Sequence, residues 1–562
     1  MSALLLRRSL VLAALGTALT VGACSRGGKS EVPEIAVAAE SLDLSGADAR
    51  ALERHFQLEP RGGTEADTLA VLAALGLDGV TDGRSINGST ASYAGWSARD
   101  GDTRFTAETL TLRGLHMEGG EPTFDALDAG GISLEEREAG ASGAGGGDAL
   151  TTGTVERLLV VEPTPEFAAD LAAVLRGEDA PRAPDPLGGA DGPPPFRALR
   201  LDDADIRIMD TDAPGTATLE LLVVGNDEDA GTVDMIVDSV SLDIGEPDTP
   251  ARLALSMDGL TALDVAVEGR AGAPALPGPL GAASFLAPGA DAPYREIDLG
   301  ALSVDTPLFS LRTDGFEASS EEAGGGALVL RSVLMPTVVD LKDGAGTPLA
   351  PFMESFRANG LAEMTLKGSQ TNRFDRAADR VSVENGQLEI DEGLRLDCDY
   401  ALRGLQAAAD ALEASGARMP DTALLETEAG LDQYLTELDA FQTAQGEANG
   451  RILIEALDCT VQDVPGNSLV TRGYQVASDV TGRPVAVLKG SAKTLIALSS
   501  LTAQSEFQRD LMDSLGSGLI DFIDTPGQTL RIRMAPEAPV SIGTLSGPDA
   551  SLDPLNLSVT VE

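Results

Sequence analysis

The sequence predicts an α+β protein built on a long antiparallel, meandering β-sheet of amphipathic strands, with repeated helix-then-hairpin units whose helices pack on the sheet. Three observations carry that expectation. Apolar residues alternate with Asp, Glu, Arg or Ser in many short runs, the period-two signature of strands with one wet face. Turn dipeptides such as Asp314-Gly315 and Asn385-Gly386 separate several of these runs, so neighbouring strands should pair as antiparallel hairpins. Segments with helical spacing and recognisable caps interrupt the strands at intervals suited to covering a dry face.

The chain opens on Arg7-Arg8, an apolar stretch from Leu10 to Val21 and then Gly22-Ala23-Cys24, which reads as a secretory signal over residues 1–23. Residues 25–34 are small and polar, so 24–45 should form a flexible tether. An N-terminal helix/β unit is expected over 46–138. There Thr64 can cap a helix from Glu65 to Leu75 with Leu69, Leu72 and Leu75 on one side, and Leu110-Thr-Leu112-Arg-Gly-Leu115 alternates as a strand. A Gly-rich linker spans 139–150.

The β-rich middle region, 151–345, holds a helix from Pro165 to Leu175, a Pro/Gly-rich loop at 180–195, and strand runs at Leu199–Ile208, Val240–Ile244 and Leu253–Leu255. The C-terminal helix/β unit, 346–562, carries strand runs at Val381–Val383, Leu388–Ile390, Leu394–Leu396 and Leu530–Met534. Helices are expected at Phe352–Asn359, Arg403–Ala414, Ala423–Gln442 and Phe507–Phe522, the middle two forming a helical insertion over 403–445. A repeated pattern, Ala-x-Gly-Leu-x-x-apolar-Thr, links Ala74–Thr81 with Ala358–Thr365, each placing a glycine where a helix should end and a strand region begin.

Composition bounds the function. Aromatic residues make up 4% of the chain, with Trp96 the single tryptophan, so cores must be aliphatic. The net charge of −49 becomes two units more negative once Arg7 and Arg8 are removed, which excludes nucleic acid as a partner. The acidity reads as a solvated surface, a salt adaptation or a cation-binding face. After the leader, no apolar run reaches the ~18 residues a membrane span needs.

Few residues suggest chemistry. Cys398 and Cys459 sit in similar contexts, Leu396-Asp-Cys398 and Leu457-Asp-Cys459, on either side of the helical insertion. In an oxidising compartment they should form a disulfide across adjacent strands, two buried thiols being the alternative. His55, in a short helix, and His116, at a strand end, lack metal-ligand spacing and read as surface or capping residues. With two histidines and no Gly-x-Ser-x-Gly elbow, no hydrolase triad is expected. Gly490-Ser-Ala-Lys493-Thr494 lacks the leading glycine of a phosphate loop and lies between apolar, strand-like residues. Asp202-Asp203-Ala-Asp205, Asp210-Thr-Asp212 and Asn226-Asp-Glu-Asp229 should fall in or beside turns, where oxygen ligands gather Ca²⁺, but none matches a known calcium loop. No metal site, cofactor or catalytic residue is therefore assigned.

The small residues before Cys24 resemble the lipobox of bacterial lipoproteins, which implies that the Cys24 thiol is acylated and becomes the new N-terminus. The alternative is a plain signal peptide with the thiol left over. Ser25, where Asp would retain an enterobacterial lipoprotein at the inner membrane, points to the outer membrane. Arg7-Arg8-Ser9-Leu10 also resembles a twin-arginine signal, but Leu6 stands where Ser or Thr is usual, so an ordinary basic region is the reading. The alternating strands with interspersed helices over about residues 60–560 resemble YdgA-like and, more remotely, AsmA-like envelope proteins; the latter resemblance implies an apolar groove for lipid chains. The chain departs from the AsmA-like pattern in lacking a transmembrane anchor and in its helices and acidity.

These readings converge on a lipid-anchored, periplasm-facing cell-envelope protein of Gram-negative type with a non-catalytic structural, binding or assembly role. Its expected partners are the membrane, through the acyl anchor, and an envelope protein or lipid. The alternatives are a carrier of lipid in a sheet groove and a carboxylate-dependent periplasmic enzyme.

Overall fold

A computed structural model describes residues 52, 54–80, 83–100, 103–138, 149–176, 194–209, 214–227, 230–245, 252–266, 294–324, 326–343, 349–420, 428–501, 506–546 and 550–562. The expected leader, Cys24, the tether, most of the 139–150 linker, most of the 180–195 loop and Asp210-Thr-Asp212 lie outside the described residues, and the last two linker positions begin a strand. Two compact units divide the chain: one holds the described residues up to 266 with 294–317, the other those from 318 onward.

In the first unit, helix α1 (Glu65–Ala74) precedes β1 (Arg84–Asn87), β2 (Thr90–Asp100), β3 (Thr103–Arg113) and a short ribbon of β4 (His116–Glu118) and β5 (Glu121–Thr123). Then come β6 (Ala126–Glu138), β7 (Ala149–Pro163), helix α2 (Pro165–Leu175), β8 (Phe196–Met209), β9 (Gly215–Asp227), β10 (Thr232–Ile244) and β11 (Leu253–Ala266). The unit ends with β12 (Glu296–Leu299), β13 (Leu302–Asp305), β14 (Phe309–Thr313) and the start of β15 (Phe316–Ala323). Pairing is antiparallel in the order β1-β2-β3-β6-β7-β8-β9-β10-β11, and β12 and β13 lie in turn along β11.

Both helices start where the sequence places them. Thr64 accepts from Asp67 N while Asp67 reaches back to the Thr64 backbone, a capping box, and Thr164 caps α2 with Pro165 in its first turn. They pack Leu72, Leu75, Phe167 and Leu171 into a core shared with Leu110, Leu112, Leu222, Val224 and Leu260 of the strands. Leu69, expected on the dry side of α1, is instead exposed, and Val71 is buried in its stead. Trp96 closes the core: its Nε1 donates to the carbonyl of Leu175 at 2.8 Å, satisfying an orphan acceptor at the end of α2.

A shared irregularity crosses this sheet. Across eight neighbouring strands the pairing is interrupted in the same transverse row, by one position or, between β3 and β6 and between β9 and β10, by two, and the row holds Gly95, Glu108, Gly131, Glu156, Asp203, Glu220, Asp238 and Gly259. Neighbouring strands skip together, so the register is kept across the row while the inward-outward alternation of each strand slips by one residue. The core positions therefore run Phe105, Ala107, then Leu110, Leu112 in β3; Ala217, Leu219, then Leu222, Val224 in β9; and Met235, Val237, then Val240 in β10. Where the slip needs positive φ, glycine supplies it at Gly95 (82°), Gly131 (60°) and Gly259 (82°), and Asp203 adopts it at 44°.

The second unit comprises β16 (Ala327–Leu341), α3 (Ala350–Ala358), β17 (Glu363–Asp375), β18 (Arg380–Ile390), β19 (Leu394–Arg403), α4 (Leu405–Ser415), α5 (Glu428–Asn449), β20 (Leu453–Asp463), α6 (Leu469–Thr481), α7 (Val485–Leu501), α8 (Glu506–Asp524), β21 (Thr529–Met534), β22 (Val540–Ser541) and β23 (Leu557–Val561). Its strands pair antiparallel as β16-β17-β18-β19-β20-β21-β23, with β22 also on β20.

Several expectations are corrected. Asn385-Gly386 is not a hairpin turn but a bulge inside β18, where pairing shifts between Val383 and Gly386 and Asn385 has φ 55°. Asp314-Gly315 does not reverse the chain either. Leu302 pairs with Thr313, and a Cβ on Gly315 would fall 2.4 Å from the carbonyl oxygen of Leu299, so the chain runs on past the end of β12. Gly490–Thr494 lies mid-helix in α7, and α6 and α7 were not anticipated, because a dense apolar run does not reveal its period. The helix expected at Ala423–Gln442 is α5, displaced toward the C-terminus.

The repeated pattern corresponds to one local structure. Leu77 N donates to Leu72 O and Leu361 N to Phe356 O, while Gly76 and Gly360 take φ of 71° and 70°: the same glycine-terminated stop, with the following leucine buried each time. A Cβ at Gly360 would meet no atom closer than 3.8 Å, so Gly360→Ala should cost about 1 kcal/mol through the left-handed backbone alone, read from the shift of the denaturation midpoint.

Candidate functional site

The phase slip sorts the face of the first sheet that points away from the main core. On one side of it lies a small apolar area, Ala126, Leu159, Val161, Ala198, Leu221 and Val223, and the N-terminal segment packs on it through Leu52, Phe56 and Leu58. Both histidines of the chain are spent on fixing this strap. They are not the surface or capping residues expected.

His55 is buried, and its Nε2 lies 2.8 Å from Oδ2 of Asp234, itself 1% exposed. The ring sits over Gly225, which pairs with Asp234, and a Cβ there would fall 2.2 Å from His55 Cδ2. Asp234 also accepts from Arg54 Nη2 at 3.0 Å and from the Asp264 backbone N–H at 2.7 Å. Burial opposes ionisation of Asp234, but the hydrogen bonds from His55 and Asp264, with the charges of His55 and Arg54, outweigh it and hold the carboxyl below its usual range. Asp227 and Asp264 flank Arg54, and Arg295 pairs with Asp264 at 2.8 Å.

His116 forms the second anchor. Its Nδ1 donates to the Gly114 carbonyl at 2.7 Å, which leaves Nε2 to accept from Arg61. The backbone N–H of Arg61 donates to the buried carboxylate of Asp125 at 2.6 Å. Arg197 adds a third fixing, donating to the carbonyls of His55 and Gln57. Neither imidazole meets a hydroxyl or a thiol among the described residues.

At the slip itself the face is acidic: Glu108, Glu156, Asp203 and Glu220 are exposed in one row across β3, β7, β8 and β9. A hydrogen bond with Asp203 and its charge push the carboxyl of Glu156 up. This corrects the placement of Asp202-Asp203-Ala-Asp205, which lies in the middle of β8 rather than in a turn. Asn226 and Asp227 do end β9, where Asp227 accepts from Ala230 N. Among the described residues, no group of three or more His, Cys, Asp or Glu is arranged to hold a metal ion.

In the second unit, Cys398 and Cys459 are direct partners in the β19–β20 register, with sulfur atoms at disulfide distance, 2.10 Å. Between them the chain leaves as α4 and α5 and returns. At the far end of β20, Asp463 is fully buried and accepts from Ser468 Oγ, Val470 N and Gly527 N, which ties α6 to the loop before β21.

A family model described only as an uncharacterized protein matches residues 387–562, from within β18 to the end, so the matched part contains both cysteines and helices α4 to α8. The curated proteins contain no match to this chain.

Proposed function

We propose that this is a lipid-anchored protein of a Gram-negative-type cell envelope, periplasm-facing and held at the outer membrane, with a non-catalytic structural, binding or assembly role. The observation that carries the reading is the leader that ends in Val21-Gly22-Ala23-Cys24. Acyl chains contribute about 0.8 kcal/mol per buried CH₂, so two or three on one cysteine would hold the body at a bilayer permanently. The paired Cys398 and Cys459 suit an oxidising compartment. Both imidazoles, the usual general bases, are taken up in fastening the segment that follows the tether, which supports a structural use of them.

The test is the mass of the N-terminal peptide from protein extracted from membranes. A triacylated Cys24 is the expected result. An unmodified N-terminus beyond Cys24 would refute the anchor, and lipid retained by the body after the anchor is accounted for would move the protein to the ligand-carrying class.

A further inference from the structure

Charge is distributed unevenly over the second unit. On its strands the carboxylates are answered by cations: Glu389 pairs with Lys367, Asp397 with Arg395, Asp458 with Arg531, and Glu455 with both Arg380 and Arg403. The excursion between β19 and β20 has no such answer. Residues 404–450 hold nine Asp and Glu against one cation, Arg418. Helix α5 alone carries Glu428, Asp432, Glu437, Asp439 and Glu447 and no basic residue. Asp432, Asp439 and Glu447 form no ion pair among the described residues, and Glu447 stands in the last turn, where the helix dipole disfavours an anion.

The same helix is thinly covered. It packs on α4 and on the turn Ile542–Ser546, yet of its side chains from Leu431 to Asn449 only Ala448 is buried. Leu431 and Leu435 are exposed, Leu435 by 53%. At about 100° per residue these two leucines lie about 40° apart around the helix, and Asp439 and Asp432 follow within about 60°, on the side away from half-buried Tyr434 and Phe441. Along the axis all four fall within about 12 Å. The aliphatic stripe and the unpaired carboxylates therefore share one exposed side of α5.

We propose that this side of α5 docks a cationic amphipathic helix of a partner protein, whose apolar face covers Leu431 and Leu435 and whose Lys or Arg residues meet Asp432 and Asp439. Charge complementarity selects this occupant. A second copy would set another α5, with five more carboxylates and no cation, against the first, and an anionic bilayer or an acidic protein would meet the same unanswered charge. A cationic helix instead supplies the ion pairs that the strands of this unit find within the chain. The proposal rests on the binding role put forward above and not on the acyl anchor.

The experiment titrates the whole mature chain from Ser25 onward into a fluorescent helix of about 18 Leu and Lys residues with its leucines on one face, at about 0.15 M salt, where attraction beyond about 8 Å is screened. Binding is expected, weakened about tenfold or more by Leu431→Gln with Leu435→Gln, which leaves the charge unchanged, and likewise by Asp432→Asn with Asp439→Asn. Leu495→Gln with Leu498→Gln, exposed on α7, should have no effect. Unchanged thermal unfolding of the variants would exclude misfolding as the cause. No binding, equal binding of a scrambled peptide of the same composition, or binding that the α5 variants leave intact overturns the proposal, the last two assigning the attraction to the overall negative charge. Self-association that Leu431→Gln with Leu435→Gln abolishes, without peptide binding, also overturns it and assigns the face to a second copy. Failure here leaves the anchored reading standing, and an unacylated Cys24 leaves this result standing.

Discussion

Asp234→Ala is expected to release the N-terminal strap from the first sheet at a cost of about 3–5 kcal/mol, the range found when one partner of a buried ion pair is removed. Asp234 is the right position to cut because it alone receives His55, Arg54 and the Asp264 N–H. Its loss leaves His55 buried against Gly225 without its carboxylate. Hydrogen exchange resolved to peptides should show residues 52–61 opening while Leu110 and Leu222 in the main core stay protected. Gly225→Ala offers a control with no charge change, since its methyl group must displace the His55 ring. If both variants leave exchange in 52–61 unaltered, the clusters do not fasten the strap.

The same carboxylate sets a direction with pH. Asp234 is held below the ordinary aspartate value near 3.9, so its contribution is present in full above that value and is lost as pH falls through the lower folded-state value. The strap should loosen on acidification below about pH 4, and Asp234→Ala should flatten that dependence.

The sheet was legible because amphipathic strands leave a local record. Leu530-Arg-Ile532 announces its wet and dry faces within three residues, and Leu199-Arg-Leu201 and Leu394-Arg-Leu396 carry the same alternation, although Arg200 is buried and Arg395 half-buried. Helices with caps were equally plain at Thr64 and Thr164. The aligned slips also leave a trace, a spacing of three among twos, as in Leu219 to Leu222 or Val237 to Val240, and the acidic row sits at those slips. One strand with such a spacing looks like a short strand and a turn, which is how Asn385-Gly386 misled. Only the same slip recurring strand after strand distinguishes such a row from a turn.

The fastening clusters had no such record. His55 and Asp234 are 179 residues apart, and nothing near either residue signals the other. Gly225 is the only local hint, a glycine interrupting the apolar run of β9 where a ring must approach the backbone. Helices α6 and α7 were missed for the opposite reason: apolar residues fall on several sides of α7, so no period stood out.

Cys398→Ser with Cys459→Ser is expected to lower the stability of the second unit by about 4 kcal/mol, the chain-entropy value for a loop closed over 61 residues. The large value follows from what the loop contains. Between the cysteines lie α4 and α5, which pack on each other and carry exposed Leu431 and Leu435, so tertiary contacts supply little to restrain this excursion once the chain unfolds. The cross-link also spares β19 and β20 the cost of finding their register, because Cys398 and Cys459 are partners at the middle of the ladder. Urea unfolding of the intact protein with and without reductant should reproduce the difference, and the double variant should be insensitive to reductant. The wild-type ladder without the bond still offers Leu396–Val461 and Tyr400–Leu457 pairs on either side, so the reduced protein should remain folded at ambient temperature with its midpoint shifted. Equal midpoints with and without reductant would mean that the cysteines are not bonded, and with that the argument from an oxidising compartment would lose its structural support.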